Sequence, residues 1–268
     1  IYWNKYPIAK LCPGKDYLNP EIELIIDDMI EFTEQKDLKD YLVKWLSNKI
    51  TIELDSLFKL KSIKESNSLV RALSYQLYEN YGVVKREKVV SLVKKLTQED
   101  RKSLRDIGVK FGRYHIFLFK LFKPKQVSLR VLLWKNFKQT NLSLKPPTFG
   151  LNFTDDPKFK NKDFMLLCGF EKFDRFFVRI DILERLFIHI INNNLENNQE
   201  VKLVPEMLNL LGCNKENFIK LIKDMNYKLF EKNNETYFKY NPRKINYRQK
   251  NKFNSDNPFN VLNQINFD

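Results

Sequence analysis

Between Asp37 and about Leu60, apolar residues recur mostly at three- and four-residue steps: Leu38, Tyr41, Leu42, Trp45, Leu46, Leu54, Leu57 and Phe58. That period places one buried stripe on a long amphipathic helix, with a break expected near Thr51. Upstream, IYWNKYPIAKLCPG alternates and ends in Pro-Gly, the pattern of a short strand entering a turn. LNPEIELIIDDMIEF reads as a helix start: Asn19 can cap, Pro20 takes the first helical position, and Glu21 and Glu23 face the positive helix end. SNSLVRALSYQLYENYG repeats the helical design, with Leu69, Leu73 and Leu77 inward and Gly82 as its stop. REKVVSLVKKL predicts a short helix. Thr97 and Asp100 have capping-box spacing ahead of a helix ending at Ile107 and Gly108, and KQVSLRVLLWKNFKQ predicts a basic amphipathic one.

Residues 18–140 thus read as a helical bundle, preceded by a segment, 1–17, expected to connect to an upstream domain of a longer protein. Pro, Asn, Thr and Asp crowd residues 141–163, the expected linker. Beyond it, FMLLCGFEKFDRFFVRI predicts short β-like runs, and DILERLFIHIINN, LVPEMLNLLG and NKENFIKLIKDMNY predict three helices. KLFEKNNETYFKY then reads as two strands around Asn-Asn. Gly212 supplies the turn and Asn214 caps the third helix. Helix, helix, turn, helix, hairpin over 164–240 is the plan of a winged helix-turn-helix, with a small α+β domain of unrelated role as the alternative. Residues 241–268 are polar and basic and are expected to be disordered in isolation. The predicted fold class is mainly α, a helical bundle followed by a small winged-helix-like α+β domain, without internal repetition at a fixed period.

Charge sharpens this picture. The formal net charge is +14, although alanine occurs only at Ala9 and Ala72, as an AT-rich coding sequence would produce, so part of the lysine content reflects codon bias. Distribution is more telling: residues 1–100 carry 16 Lys and Arg against 16 Asp and Glu, while residues 101–160 carry 14 against 3. The basic zone contains DIGVKFGRYHIFLFKLFKP, where Lys110, Arg113, Lys120, Lys123, Lys125 and Arg130 interleave with Phe111, Tyr114, Phe117, Phe119 and Phe122. Lysines can track phosphates and exposed aromatics can stack bases, so these six residues form a candidate single-strand surface, with most of the aromatics assigned to the core. A second candidate set is Lys215, Lys220 and Lys223 on the third helix, followed by Arg243, Lys244 and Arg248 after the wing, all suited to phosphate positioning rather than base reading.

Other chemistries fit poorly. A phosphate-binding P-loop needs G-x-x-x-x-G-K-[ST], whereas Gly108 and Gly112 are too close and are followed by Arg113-Tyr114. No nucleophile elbow or HExxH occurs, so no catalytic residue is assigned. Cys12, Cys168 and Cys213 are odd in number and far apart, and His115 and His189 have no companions at ligand spacing. Neither a zinc site nor a disulfide framework is expected, and a reducing, cytoplasmic setting fits. No apolar run approaches the ~18 residues of a membrane span, so no membrane partner is expected.

Five blocks, in this order, carry a family resemblance: IYWNKYPIAKLCPG, RALSYQLYENYGVVKREKV, LRDIGVKFGRYHIFLFKLFKP, FVRIDILERL and MLNLLGCNKENFIKLIKDMNY. Together they resemble the region that follows the motor in bacterial DEAD/DEAH-type ATP-dependent helicases related to the mitochondrial degradosome RNA helicase. The resemblance spans residues 1 to about 230 and leaves the tail uncovered. It implies an accessory region beside two RecA-like domains that bind ATP and magnesium and translocate along a strand. The family's ATP-binding residues match no position here, so no cofactor is expected in this chain. The implied partners are a nucleic-acid strand, RNA before DNA, and the upstream RecA-like domains. Strand guidance, core stabilisation and partner docking all remain open as roles. A stand-alone winged-helix regulator of DNA and a protein-interaction scaffold are the alternatives outside this family.

Overall fold

The computed structural model describes residues 1–25, 31–63, 67–139, 144–154, 161–174, 176–195 and 200–241. The chain opens with a small hairpin, β1 (Tyr2–Trp3) and β2 (Tyr6–Pro7), and a second pair, β3 (Ala9–Cys12) and β4 (Glu21–Leu24). The helix expected from Asn19 and Pro20 is therefore a strand at this point. Ile22 and Leu24 point inward and Glu21 and Glu23 outward, a period of two that outweighs the capping signals once β3 offers a partner. Asn19 instead donates its side-chain amide to Asp16. Helix α1 (Phe32–Glu53) breaks at Leu54 before α2 (Asp55–Lys61), close to the expected break.

The remainder is built from three successive units with one strand order. The first contains α3 (Ser68–Glu79), β5 (Val83–Lys85), α4 (Val90–Lys95), α5 (Gln98–Asp106), β6 (Val109–Phe111) and β7 (His115–Leu118), in a sheet ordered β5-β7-β6. The second contains α6 (Pro124–Lys138), β8 (Phe153–Thr154), α7 (Lys162–Leu167), β9 (Phe170–Lys172) and β10 (Phe177–Arg179), ordered β8-β10-β9. The third contains α8 (Ile180–Asn192), β11 (Asn194–Leu195), β12 (Glu200–Lys202), α9 (Pro205–Leu211), α10 (Lys215–Asp224), β13 (Tyr227–Lys232) and β14 (Glu235–Tyr240), ordered β11-β12-β14-β13. In each unit the last strand lies between two earlier ones, β5 and β6, β8 and β9, or β12 and β13, with β11 added outside β12 in the third, and all pairings are antiparallel.

The same joint recurs in all three. After α5, α7 and α10 comes one residue with positive φ, namely Gly108 (103°), Gly169 (88°) and Asn226 (66°). It reverses the chain so that the next residue, Val109, Phe170 or Tyr227, enters the core. The repetition is thus one of backbone, which a search for recurring residues misses because only the turn and its buried follower persist.

The fold class differs from the expected helical bundle: it is a mixed α/β chain with five small sheets among the described residues. The short runs Val83–Lys85 and His115–Leu118, given no element by sequence reading, pair with each other as strands. Within the expected linker, Phe153 and Thr154 are buried against β10, and Asn152 Nδ2 donates to the Leu210 carbonyl at 3.1 Å. Val127, Val131 and Trp134 of α6 share an apolar cluster with Phe164, Met165 and Phe177, so the core continues across that stretch. No helix among the described residues is long and apolar enough to cross a membrane.

Candidate nucleic-acid interface

The three units meet around a cleft of about 520 Å³. The first unit contributes Lys85 and Arg86, where β5 ends, Lys94 on α4, and Arg113 and Tyr114 from the β6–β7 turn. The second contributes Glu171 and Phe173, and the third Asn226 and Tyr240. A smaller neighbouring cavity of about 230 Å³ shares Arg113, Tyr114 and Tyr240 and adds Phe187 and Tyr227. Cations and aromatic rings therefore line both cavities, with the carboxylates Glu87 and Glu171 also in the wall of the larger.

Its floor is a chain of charges drawn from all three units. Lys85 and His115 face each other across paired strands. Glu171 of β9 accepts from Lys85 Nζ at 2.5 Å and bonds His115 Nε2 at 2.9 Å. Glu184 of α8 accepts from three consecutive backbone N–H groups, those of Arg113 (2.5 Å), Tyr114 (2.9 Å) and His115 (2.8 Å). His115 Nδ1 lies 3.6 Å from Glu184 Oε1, too far for a hydrogen bond, so that contact is one of charge. Burial works against a charged His115, yet the bond to Glu171 and the charge of Glu184 raise its pKa above the ordinary imidazole value. Burial likewise opposes the Glu171 carboxylate, but His115 and Lys85 hold its pKa below the usual value.

The walls divide into held and presented groups. Arg86 is held: its guanidinium donates to the Gly112 carbonyl at 2.6 Å and its N–H to Tyr114 O at 2.8 Å. Arg113 is exposed and lies 5.7 Å from the Phe187 ring. Tyr114 meets the same ring edge-on at 5.7 Å, and burial pushes its phenol far above the usual range. Tyr240 is 40% exposed and packs edge-on against Tyr227. Neither Lys94 nor Arg113 makes a side-chain ion pair among the described residues, which leaves both heads available to an anion.

Of the basic residues singled out from sequence as strand contacts, Arg113 alone lines this cleft, beside Tyr114 from the interleaved aromatics. Lys110 is exposed on β6, opposite Phe117. Lys120 lies 3.6 Å from Asp55, and Lys123 borders a separate cavity of about 220 Å³ with Phe119 and Phe149. Lys125 is exposed on the first turn of α6. Arg130 is a correction. It is fully buried, donating to the Leu121 carbonyl at 3.2 Å and the Tyr81 carbonyl at 2.5 Å, so its guanidinium ties α6 to the core and meets no strand. Lys215, Lys220 and Lys223 are exposed on α10, with Lys220 paired to Glu216 at 2.5 Å. Arg243, Lys244 and Arg248 lie outside the described residues.

Sequence reading overlooked Lys85, Arg86, Lys94, Phe173 and Tyr240 because the fold gathers them from separate units. The one local signal was the Lys-Arg pair closing an apolar Val-Val run. Gly112 is required by packing: a Cβ there would lie 2.3 Å from the Glu184 carboxyl carbon. The three N–H groups after Gly112 are taken by Glu184 and so do not cradle a phosphate. Among the described residues no group of three or more His, Cys, Asp and Glu is placed to hold a metal ion.

No family model, no curated protein and no solved structure matches the chain.

Proposed function

We propose that this chain binds and guides a single nucleic-acid strand, RNA foremost, as the accessory region of an ATP-dependent helicase. Its RecA-like motor, with the ATP and magnesium it uses, lies in other domains. The observation that carries the binding role is the three-unit cleft, in which Lys94 and Arg113 present cations beside Tyr114, Phe173 and Tyr240. Phosphates are drawn to the cations and bases stack on the rings, a combination that tolerates any sequence because every base has a π-face. The helicase setting rests on the five sequence blocks quoted above. The first and third units follow the helix, helix, turn, helix, hairpin plan, and we read both as winged-helix-like modules.

The test is fluorescence anisotropy with a labelled ~15-nucleotide single-stranded RNA, a length that covers a site of this kind, across a salt series. Affinity should fall with salt by roughly 0.7 log units per log unit for each phosphate neutralised. Lys94→Ser with Arg113→Ser should weaken binding and flatten the slope. Affinity indifferent to ionic strength, or confined to one duplex sequence, would exclude this reading and favour a scaffold or a DNA regulator respectively.

A further inference from the structure

We infer that Glu184 is the positioning residue of the strand-binding cleft, holding the β6–β7 turn so that Arg113 and Tyr114 face the strand; this rests on the strand-binding reading above. The turn belongs to the first unit and Glu184 to the third, 69 to 71 residues along the chain. Glu184 is 7% exposed, and its carboxylate accepts all three N–H groups of Arg113, Tyr114 and His115. Three donors on one carboxylate fix the backbone direction at those residues, and with it where the two side chains leave the chain. One turn further along α8, Phe187 takes up both side chains, stacking edge-on with Tyr114 and lying under the Arg113 guanidinium. A single face of α8 thus sets the backbone through Glu184 and the side chains through Phe187.

Gly112 makes the arrangement possible. Its missing Cβ leaves the space into which the carboxylate fits, with Glu184 Cδ, Oε2 and Oε1 at 2.3, 2.5 and 2.6 Å from where that atom would stand. A methyl there meets only the far end of a side chain, so the carboxylate must move while the fold can remain.

Charge gives this proposal a distinctive sign. A carboxylate beneath a phosphate-binding cleft repels the strand, so removing its charge would tighten binding if Glu184 were only a neighbour. A positioning residue does the opposite. Glu184→Gln removes the charge, Gly112→Ala keeps it but displaces it, and both should weaken the single-stranded RNA binding of the full chain about fivefold to tenfold. In an Arg113→Ser, Tyr114→Ala background neither should weaken it further, because the positioned groups are gone. Amide hydrogen exchange supplies a readout free of nucleic acid: both variants should lose protection at Arg113, Tyr114 and His115 while α3 and α8 stay protected. Tighter or unchanged binding in Glu184→Gln, or unchanged binding in Gly112→Ala despite lost amide protection, overturns the proposal and leaves the cleft reading standing. If Lys94→Ser with Arg113→Ser also leaves binding intact, the cleft reading falls and this assignment falls with it.

Discussion

Strands β7 and β14 occupy the same place in their sheets, and their registers superimpose: Ile116 faces Val84 as Phe238 faces Val201, and His115 faces Lys85 as Tyr237 faces Lys202. Ile116 and Phe238 are both fully buried. The neighbouring positions differ. Phe117 is 3% exposed, whereas the matching Lys239 is exposed to solvent. Strand β7 is buried on both faces because Phe122, Leu166 and Ile180 cover Phe117 and Val83, while β14 keeps one wet face. The sequences record this, with a continuous apolar run, Ile116 to Leu118, in β7 and polar residues on either side of Phe238 and its neighbour in β14. One backbone plan thus serves as an interior wall in the first unit and as a surface module in the third.

The largest test of that contrast is Phe117→Ala, which should cost about 3–5 kcal/mol as an aromatic cavity in a two-sided core. Lys239→Ala should stay within about 0.5 kcal/mol, as surface changes do. Urea denaturation of both variants measures the gap, and similar losses would show that β14 is covered too.

The matched lysines sharpen it next. Lys85 pairs with the buried Glu171, and Lys202 with the exposed Glu235. Glu171→Ala leaves Lys85 Nζ and His115 Nε2 without their acceptor and should cost about 3 kcal/mol, while Glu235→Ala, which removes a surface pair, should leave the urea midpoint nearly unchanged.

A pH effect follows from the same floor. The pKa of His115 is raised in the folded chain, so its contribution is complete below the unfolded imidazole value of 6.5 and is lost as pH rises through the folded value. That of Glu171 is lowered, so its contribution is present above 4.5 and is lost as pH falls through the folded value. Melting temperature should therefore decline from pH 6 toward pH 9 by an amount that His115→Gln abolishes; an unaltered decline in that variant would place the titration elsewhere. Tyr237 stands at the matching position of the third unit, which has no counterpart to this dependence.

The smallest expected effect lies at the shared joint. Gly108→Ala forces a side chain into positive φ and should cost about 1 kcal/mol. Asn226→Gly, at the equivalent place, should change stability by only a few tenths of a kcal/mol, because asparagine already tolerates that conformation.

Much of the local structure was legible. The capping box at Thr97 and Asp100 is formed by both of its bonds, Asn214 caps α10, and Gly212 closes α9 at φ 69°. These signals need no distant partner, since a cap or a left-handed turn is satisfied within a few residues. The strand at Glu21 and the buried role of Arg130 were illegible for the opposite reason: each depends on a partner in another segment, β3 for the strand and the Tyr81 carbonyl, 49 residues back, for the guanidinium. The candidate site was the least legible part. Arg113 stood out by its charge, but nothing local distinguishes Lys94 from the other lysines, or Glu171 and Glu184 from any helix or strand carboxylate.

By itself the sequence determined the helical periods, the caps, the helix end at Gly108, the turn at Gly212 and the concentration of charge between residues 101 and 160, because these follow from steric and hydrogen-bonding preferences acting over a few residues. Only the tertiary structure decided that three units share one strand order, that β7 is a wall and β14 a surface, and which cations face a common cleft. The wall depends on Phe122, Leu166 and Ile180 covering Phe117, and the cleft on Glu171 and Glu184 reaching across units to His115 and the turn at Gly112. Such contacts are selected by desolvation and shape in the packed molecule, and a linear pattern does not encode them locally.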